Sequence, residues 1–112
     1  YVAVGHSFGG AVAVQLGVVL AELVVGVVTL ATQSAGCEIA DRLGGRPLLL
    51  VHGDADPILP VACSETVRAL AGGGELVVLP GAGHLLTEAG AELRRLVPGW
   101  ILSVVREGGQ SS

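Results

Sequence analysis

Apolar positions in this chain come in short unbroken runs rather than in strict alternation. Tyr1–Val4, Val24–Ala31 and Leu48–His52 are apolar almost throughout, and Glu75–Leu79 is apolar after its first residue. Runs of this length, rich in valine and leucine, are how strands covered on both faces of a parallel sheet read. The segments between them have helical character. Phe8 to about Leu20 is built from small and aliphatic residues and is apolar on nearly every side, which predicts a well-buried helix. Val61–Ala71 predicts a second helix, with Ser64 and Glu65 near its first turn and Gly72-Gly73-Gly74 ending it. A last helix is expected from a cap at Thr87 to about Arg106, with a break or kink at Pro98-Gly99, followed by a polar tail over 108–112. Thr32–Gly45 is a polar, glycine-punctuated excursion in which Glu38–Leu43 predicts a short helix. Strand and helix therefore alternate along the whole chain. The fold class this predicts is α/β, a parallel sheet of about four strands with three to four flanking helices and right-handed crossovers.

One stretch competes with that reading. Ala11–Leu30 is almost free of charge, Glu22 excepted, and is long enough to mimic a membrane span. Gly17 and Gly26 interrupt it, and its second part is as valine-rich as a strand, so a buried helix followed by a buried strand is the preferred reading and no membrane partner is expected. Composition adds a second point. Hydrophobic residues make up 51% of the 112 residues and charged residues 14%, against about 25% charged in an ordinary domain. A small domain has much surface for its volume, so a chain this poor in charge suits part of a larger domain. The absence of an initiator methionine points the same way. The net charge is −4 and no basic cluster exists to follow a phosphate backbone, which argues against a nucleic-acid partner. No charged leader precedes an apolar core, so a cytoplasmic location is expected. Cys37 and Cys63 lack metal-ligand spacing and are expected to be free thiols.

The candidate chemistry begins at Gly5-His6-Ser7-Phe8-Gly9-Gly10, placed between the first predicted strand and the first predicted helix. Gly-x-Ser-x-Gly in that setting reads as a nucleophile elbow. The serine is expected on a sharp turn in sparsely populated backbone space, with Gly5 and Gly9 sparing collisions that a side chain would cause. A purely structural glycine turn is the alternative for the pentapeptide taken alone. Asp54, Asp56 and His84 also follow predicted strand ends, and sites in parallel sheets gather at the carboxyl ends of strands. A serine hydroxyl needs a base to take its proton, and the base needs a third group to fix its tautomer. The chain offers these in the order Ser7, Asp56, His84.

Three blocks now carry a resemblance. Gly5-His6-Ser7-Phe8-Gly9-Gly10, His52-Gly53-Asp54-Ala55-Asp56-Pro57-Ile58-Leu59-Pro60 and Gly81-Ala82-Gly83-His84 resemble, in order, the nucleophile, acid and histidine segments of the α/β-hydrolase superfamily, here its carboxyl-terminal half. The resemblance implies a partial α/β-hydrolase domain over 1–107, with a flexible tail at 108–112. It implies Ser7 as nucleophile, His84 as base, Asp56 as acid and the Phe8 N–H as one oxyanion donor. Asp54 is the alternative acid, its other reading being loop hydrogen bonding. The second oxyanion donor of the family comes from a loop that would precede Tyr1. His6 and His52 are read as packing or hydrogen-bonding residues. The short Thr32–Gly45 excursion implies no large lid and an open site, similar to dienelactone-hydrolase-like and small esterase members. A serine nucleophile sets the chain apart from the dehalogenase and epoxide-hydrolase branches. The implied activity is hydrolysis of a small ester or related acyl substrate, with no cofactor and no metal. The alternative is a truncated, non-catalytic or partner-dependent half, whose open first strand invites self-association.

Overall fold

The structure is a computed structural model and describes residues 1–86 and 89–110. Its strands are β1 (Val2–His6), β2 (Gly26–Leu30), β3 (Leu48–Gly53) and β4 (Glu75–Leu79). Its helices are α1 (Phe8–Val19), α2 (Val61–Ala71) and α3 (Gly90–Gln110), with a 3-10 helix at Glu38–Leu43 inside the excursion. The four strands form one parallel sheet in the order β1-β2-β3-β4. The fold class is as the sequence predicts.

The unbroken apolar runs have a direct cause. Along β3, Leu48 and Leu50 face a cluster made with Ala13 and Val14 of α1, Leu43 of the 3-10 helix and Val67 of α2. Leu49 and Val51 face the opposite cluster, made with Leu93, Leu96, Val97 and Trp100 of α3. Both faces of β3 are covered, and all six of its residues are buried. No position is left for an alternating polar residue.

Four expectations need adjustment. β1 runs on through Gly5 and His6, because these pair with Thr29 and Leu30 of β2 and the ladder continues to the edge of Ser7. Helix α1 is buried on one side only. Gly10, Ala11, Ala13, Val14 and Gly17 pack inward, while Phe8, Val12, Leu16 and Val19 are exposed on the other side. Pro98 lies inside α3 without ending it, although proline supplies no N–H to the helix ladder. The helix also passes Arg106 and continues to Gln110, so 108–110 of the expected tail are helical. The expected cap at Thr87 and the rest of the tail, 111–112, lie outside the described residues.

Ala11–Leu30 divides into the body of α1, a turn and β2. Among the described residues no helix is long and apolar enough to cross a membrane. β1 and β4 are the edge strands, and Tyr1 beside β1 and Phe8 and Val19 on the outer side of α1 are 86%, 68% and 72% exposed.

Candidate active site

The site assembles where β1, β3 and β4 end. Ser7 follows β1 directly and precedes the first residue of α1. Its φ of 57° and ψ of −119° are outside ordinary helix and strand space, a cost that persists only where the surroundings dictate it. The surroundings here are tight. The Ser7 N–H donates to the Leu30 carbonyl at 2.9 Å, and the Gly10 N–H donates to the Ser7 carbonyl at 2.9 Å. A side chain at Gly5 would place its Cβ 1.8 Å from the Gly9 carbonyl oxygen, which no adjustment of a flexible group relieves. The expectation that Gly9 is equally constrained is corrected: a Cβ there meets open space. The second constrained position is Gly10, where a Cβ would lie 2.3 Å from Thr32 Oγ1. The pattern of glycines signalled a tight turn, but which of them faces a neighbour depends on packing that sequence does not display.

The acid and histidine segments leave adjacent strands and are tied to each other. The Ala55 N–H donates to the Ala82 carbonyl at 3.0 Å. The Gly81 N–H donates to Asp54 Oδ1 at 2.7 Å. Gly53 allows this approach, since a Cβ there would sit 2.1 Å from the Ala82 oxygen. Asp54 therefore joins the two loops, the hydrogen-bonding alternative stated for it, and does not reach His84.

Asp56 does reach His84. Its Oδ1 accepts from the Ile58 and Leu59 N–H groups, both at 2.8 Å. Its Oδ2 lies 2.7 Å from His84 Nδ1. A carboxylate only accepts, so His84 Nδ1 carries the hydrogen, and its Nε2 is free to accept from the Ser7 hydroxyl at 2.9 Å. The three side chains form one directed line. The Asp56 side chain is fully buried and that of His84 is 13% exposed. Burial opposes a charge on Asp56, but the Leu59 N–H, the His84 ring and the Ile58 N–H together hold its carboxyl below the ordinary carboxylate range.

Phe8 is the first residue of α1, and the first N–H groups of a helix have no partner within it. Its backbone N–H adjoins Ser7, where the helix dipole favours a negative charge. The Phe8 side chain is exposed and Ser7 is half-buried. The excursion between β2 and β3 holds the 3-10 helix alone and no large lid.

Two histidines have contacts the sequence reading did not specify. His6 Nε2 lies 2.8 Å from the His84 carbonyl oxygen, so it donates there, and the two rings stand 5.0 Å apart. Consecutive residues thus grip His84 twice, His6 on the backbone and Ser7 on the ring. His52, wholly buried at the end of β3, donates from Nε2 to the Leu59 carbonyl at 2.7 Å and accepts at Nδ1 from the Ser64 hydroxyl at 2.6 Å. The signal in the sequence is that a buried histidine must find two partners; which ones is a matter of tertiary structure. Cys37 is a buried free thiol and Cys63 a half-buried one. Burial pushes the Cys37 thiol up, only partly offset by its hydrogen bond with Thr32. Among the described residues no group of three or more His, Cys, Asp or Glu side chains is placed to hold a metal ion.

No family model matches the chain, and no curated protein matches it. Solved structures do. Dienelactone hydrolase from Anabaena variabilis superposes with a TM-score of 0.79 at 26% identity, over 89% of this chain and 47% of its own. Est1E from Butyrivibrio proteoclasticus gives a TM-score of 0.76 at 18% identity, over 92% of this chain and 60% of its own. A monoacylglycerol lipase from Paleococcus ferrophilus gives 0.73 at 18% identity, over 90% of this chain and 67% of its own. This chain spans about half to two thirds of the length of the proteins it resembles.

Proposed function

We propose, from the premise that this chain has the α/β-hydrolase fold, that it carries the catalytic centre of a serine hydrolase acting on a small ester or related acyl substrate. The observation that carries the reading is the directed line from Asp56 through His84 to Ser7. In this scheme Ser7 Oγ attacks the acyl carbonyl while His84 Nε2 takes its proton. Asp56 keeps the Nδ1–H tautomer and stabilises the imidazolium that forms. The Phe8 N–H holds the developing oxyanion. His84 then returns the proton to the leaving oxygen, and a water, activated by the same ring, releases the acyl group and restores Ser7. Every proton is taken up and returned by one imidazole. The missing lid favours small or soluble acyl substrates over long lipid chains.

The test is covalent. The purified protein treated with a fluorophosphonate is expected to gain the mass of one adduct, and Ser7→Ala to gain none. An adduct that survives Ser7→Ala would overturn the assignment, as would a folded wild-type protein that takes no adduct and hydrolyses no ester.

One observation favours a second reading, in which the centre acts only when β1 and α1 are covered by further polypeptide. Tyr1, Leu16, Leu20 and Leu23, all exposed, line one hollow beside Val2 and Ala3 of β1, and apolar surface of this kind marks interaction sites. A compact monomer in size-exclusion chromatography that also takes the adduct would dispose of it.

A further inference from the structure

Beside Asp56 lies a second imidazole, fully buried, for which the proposed chemistry has no use. We infer that His52 is a positioning residue for Asp56, acting through Leu59, and that Ser64 on α2 supports His52 by hydrogen-bonding its other ring nitrogen. The inference rests on the reading of Asp56 as the acid.

The argument follows the hydrogens. Asp56 presents Oδ2 to His84 because Oδ1 is occupied by the N–H groups of Ile58 and Leu59. The orientation of the carboxylate therefore depends on where Leu59 is held. Leu59 is held by its carbonyl, which accepts from His52 Nε2 at 2.7 Å. His52 belongs to β3, a central strand whose residues are all buried, and pairs there with Val78 of β4, so the loop is anchored to the interior of the sheet. The same Nε2 lies 3.5 Å from Asp56 Oδ2, too far for a good hydrogen bond but close enough for the N–H dipole to face the carboxylate.

This arrangement works in one tautomer only. With the hydrogen on Nε2, His52 faces two oxygens with a donor. With the hydrogen on Nδ1, it would face the same two oxygens with a lone pair. The Leu59 carbonyl only accepts and so places the hydrogen on Nε2, and the Ser64 hydroxyl, 2.6 Å from Nδ1 and itself fully buried, donates to the lone pair this leaves. Five groups, Ser64, His52, Leu59, Asp56 and His84, thus form a continuous chain from α2 to the Ser7 hydroxyl.

A buried histidine that merely satisfies its own polar atoms makes a different forecast. Removing it together with Ser64 then leaves the Leu59 carbonyl alone without its donor, a cost to stability that leaves the His84 resonance and the reactivity of Ser7 unchanged. The experiment compares the purified wild-type protein with His52→Leu/Ser64→Ala, His52→Gln and Ser64→Ala. Two readouts are taken: the low-field proton resonance of His84 Nδ1–H, assigned by its loss in Asp56→Asn, and the rate of Ser7 modification by a fluorophosphonate. In the double variant, with circular dichroism unchanged, the resonance is expected to shift or broaden away. Its modification rate is expected to fall about tenfold or more, the scale at which partners behind a working side chain act. His52→Gln, whose amide can donate to Leu59, recovers most of both. A double variant with the wild-type resonance and the wild-type rate overturns the inference. Should the double variant not fold, Ser64→Ala decides on the same two readouts, with a severalfold fall expected and no change overturning. If the wild-type protein takes no adduct, the proposed function fails while the resonance still decides the role of His52.

Discussion

Asp56 leaves β3, a central strand, whereas Ser7 leaves β1 and His84 leaves β4, the two edge strands of the sheet. β3 is buried along its whole length, with helices packed on both faces. The loops that follow β3 and β4 are laced together by Ala55 to Ala82 and by Asp54 to Gly81. β1 has a neighbour on one side only, and Val4, Phe8 and Val19 around it are exposed. Asp56 is thus mounted on the core, while Ser7 stands at its margin, held by β2 through Leu30 and by His84. A nucleophile of the proposed kind, mounted on an edge strand, requires a turn with no freedom of its own. The strained Ser7 backbone and the blocked Cβ space at Gly5 supply that condition.

The largest effect expected from breaking this arrangement is at Asp56. Asp56→Asn keeps the shape but favours the wrong His84 tautomer, and the rate of Ser7 acylation is expected to fall about 10⁴-fold. Ester turnover or phosphonate labelling measures it; an unchanged rate would separate Asp56 from catalysis. Next come two glycines that set the halves against each other. Gly53→Ala forces a Cβ to 2.1 Å from a backbone oxygen inside the buried part, and urea unfolding is expected to show a loss of about 3 kcal/mol, the upper end for single substitutions. Gly5→Ala meets an equally hard wall at 1.8 Å, but on the margin, where β1 can give way. Its stability loss is expected to be smaller, about 1–2 kcal/mol, with Ser7 labelling lost. Equal stability losses would refute the distinction between core and margin.

The smallest effect is on acid stability. The Asp56 carboxyl is held below its ordinary range in the folded protein, so it stabilises the fold at pH values above the ordinary carboxylate range. That contribution fades as the pH falls through that range and then through the lower folded value. Urea midpoints of the wild-type protein and Asp56→Asn are accordingly expected to converge on acidification. A gap that widens instead would reverse the sign assigned to Asp56.

Much of this was legible in the chain. Leu48–His52 reads as a doubly covered strand because no position in it is polar before the site begins, and the structure places it there. Ser7, Asp56 and His84 could be singled out because each follows a strand end and each is a residue type the others need. What remained hidden depends on contacts between distant segments. Gly9 and Gly10 look alike in sequence, yet only Gly10 faces Thr32. Ser64 reads as a first-turn residue of a helix; that it turns inward to a histidine twelve residues earlier is decided by how α2 lies on β3. The outer side of α1 looks as buried as its inner side, because composition records hydrophobicity and not the presence of a neighbour.

Ser7 and His84 are 77 positions apart along the chain yet share a hydrogen bond. Closing so long a loop is entropically unfavourable, and the contact becomes worthwhile only once β2, β3 and β4 have already paired in order. Under the proposed function, the Ser7 hydroxyl is then inert until those strands have paired, and phosphonate labelling during refolding is expected to lag behind recovery of the sheet.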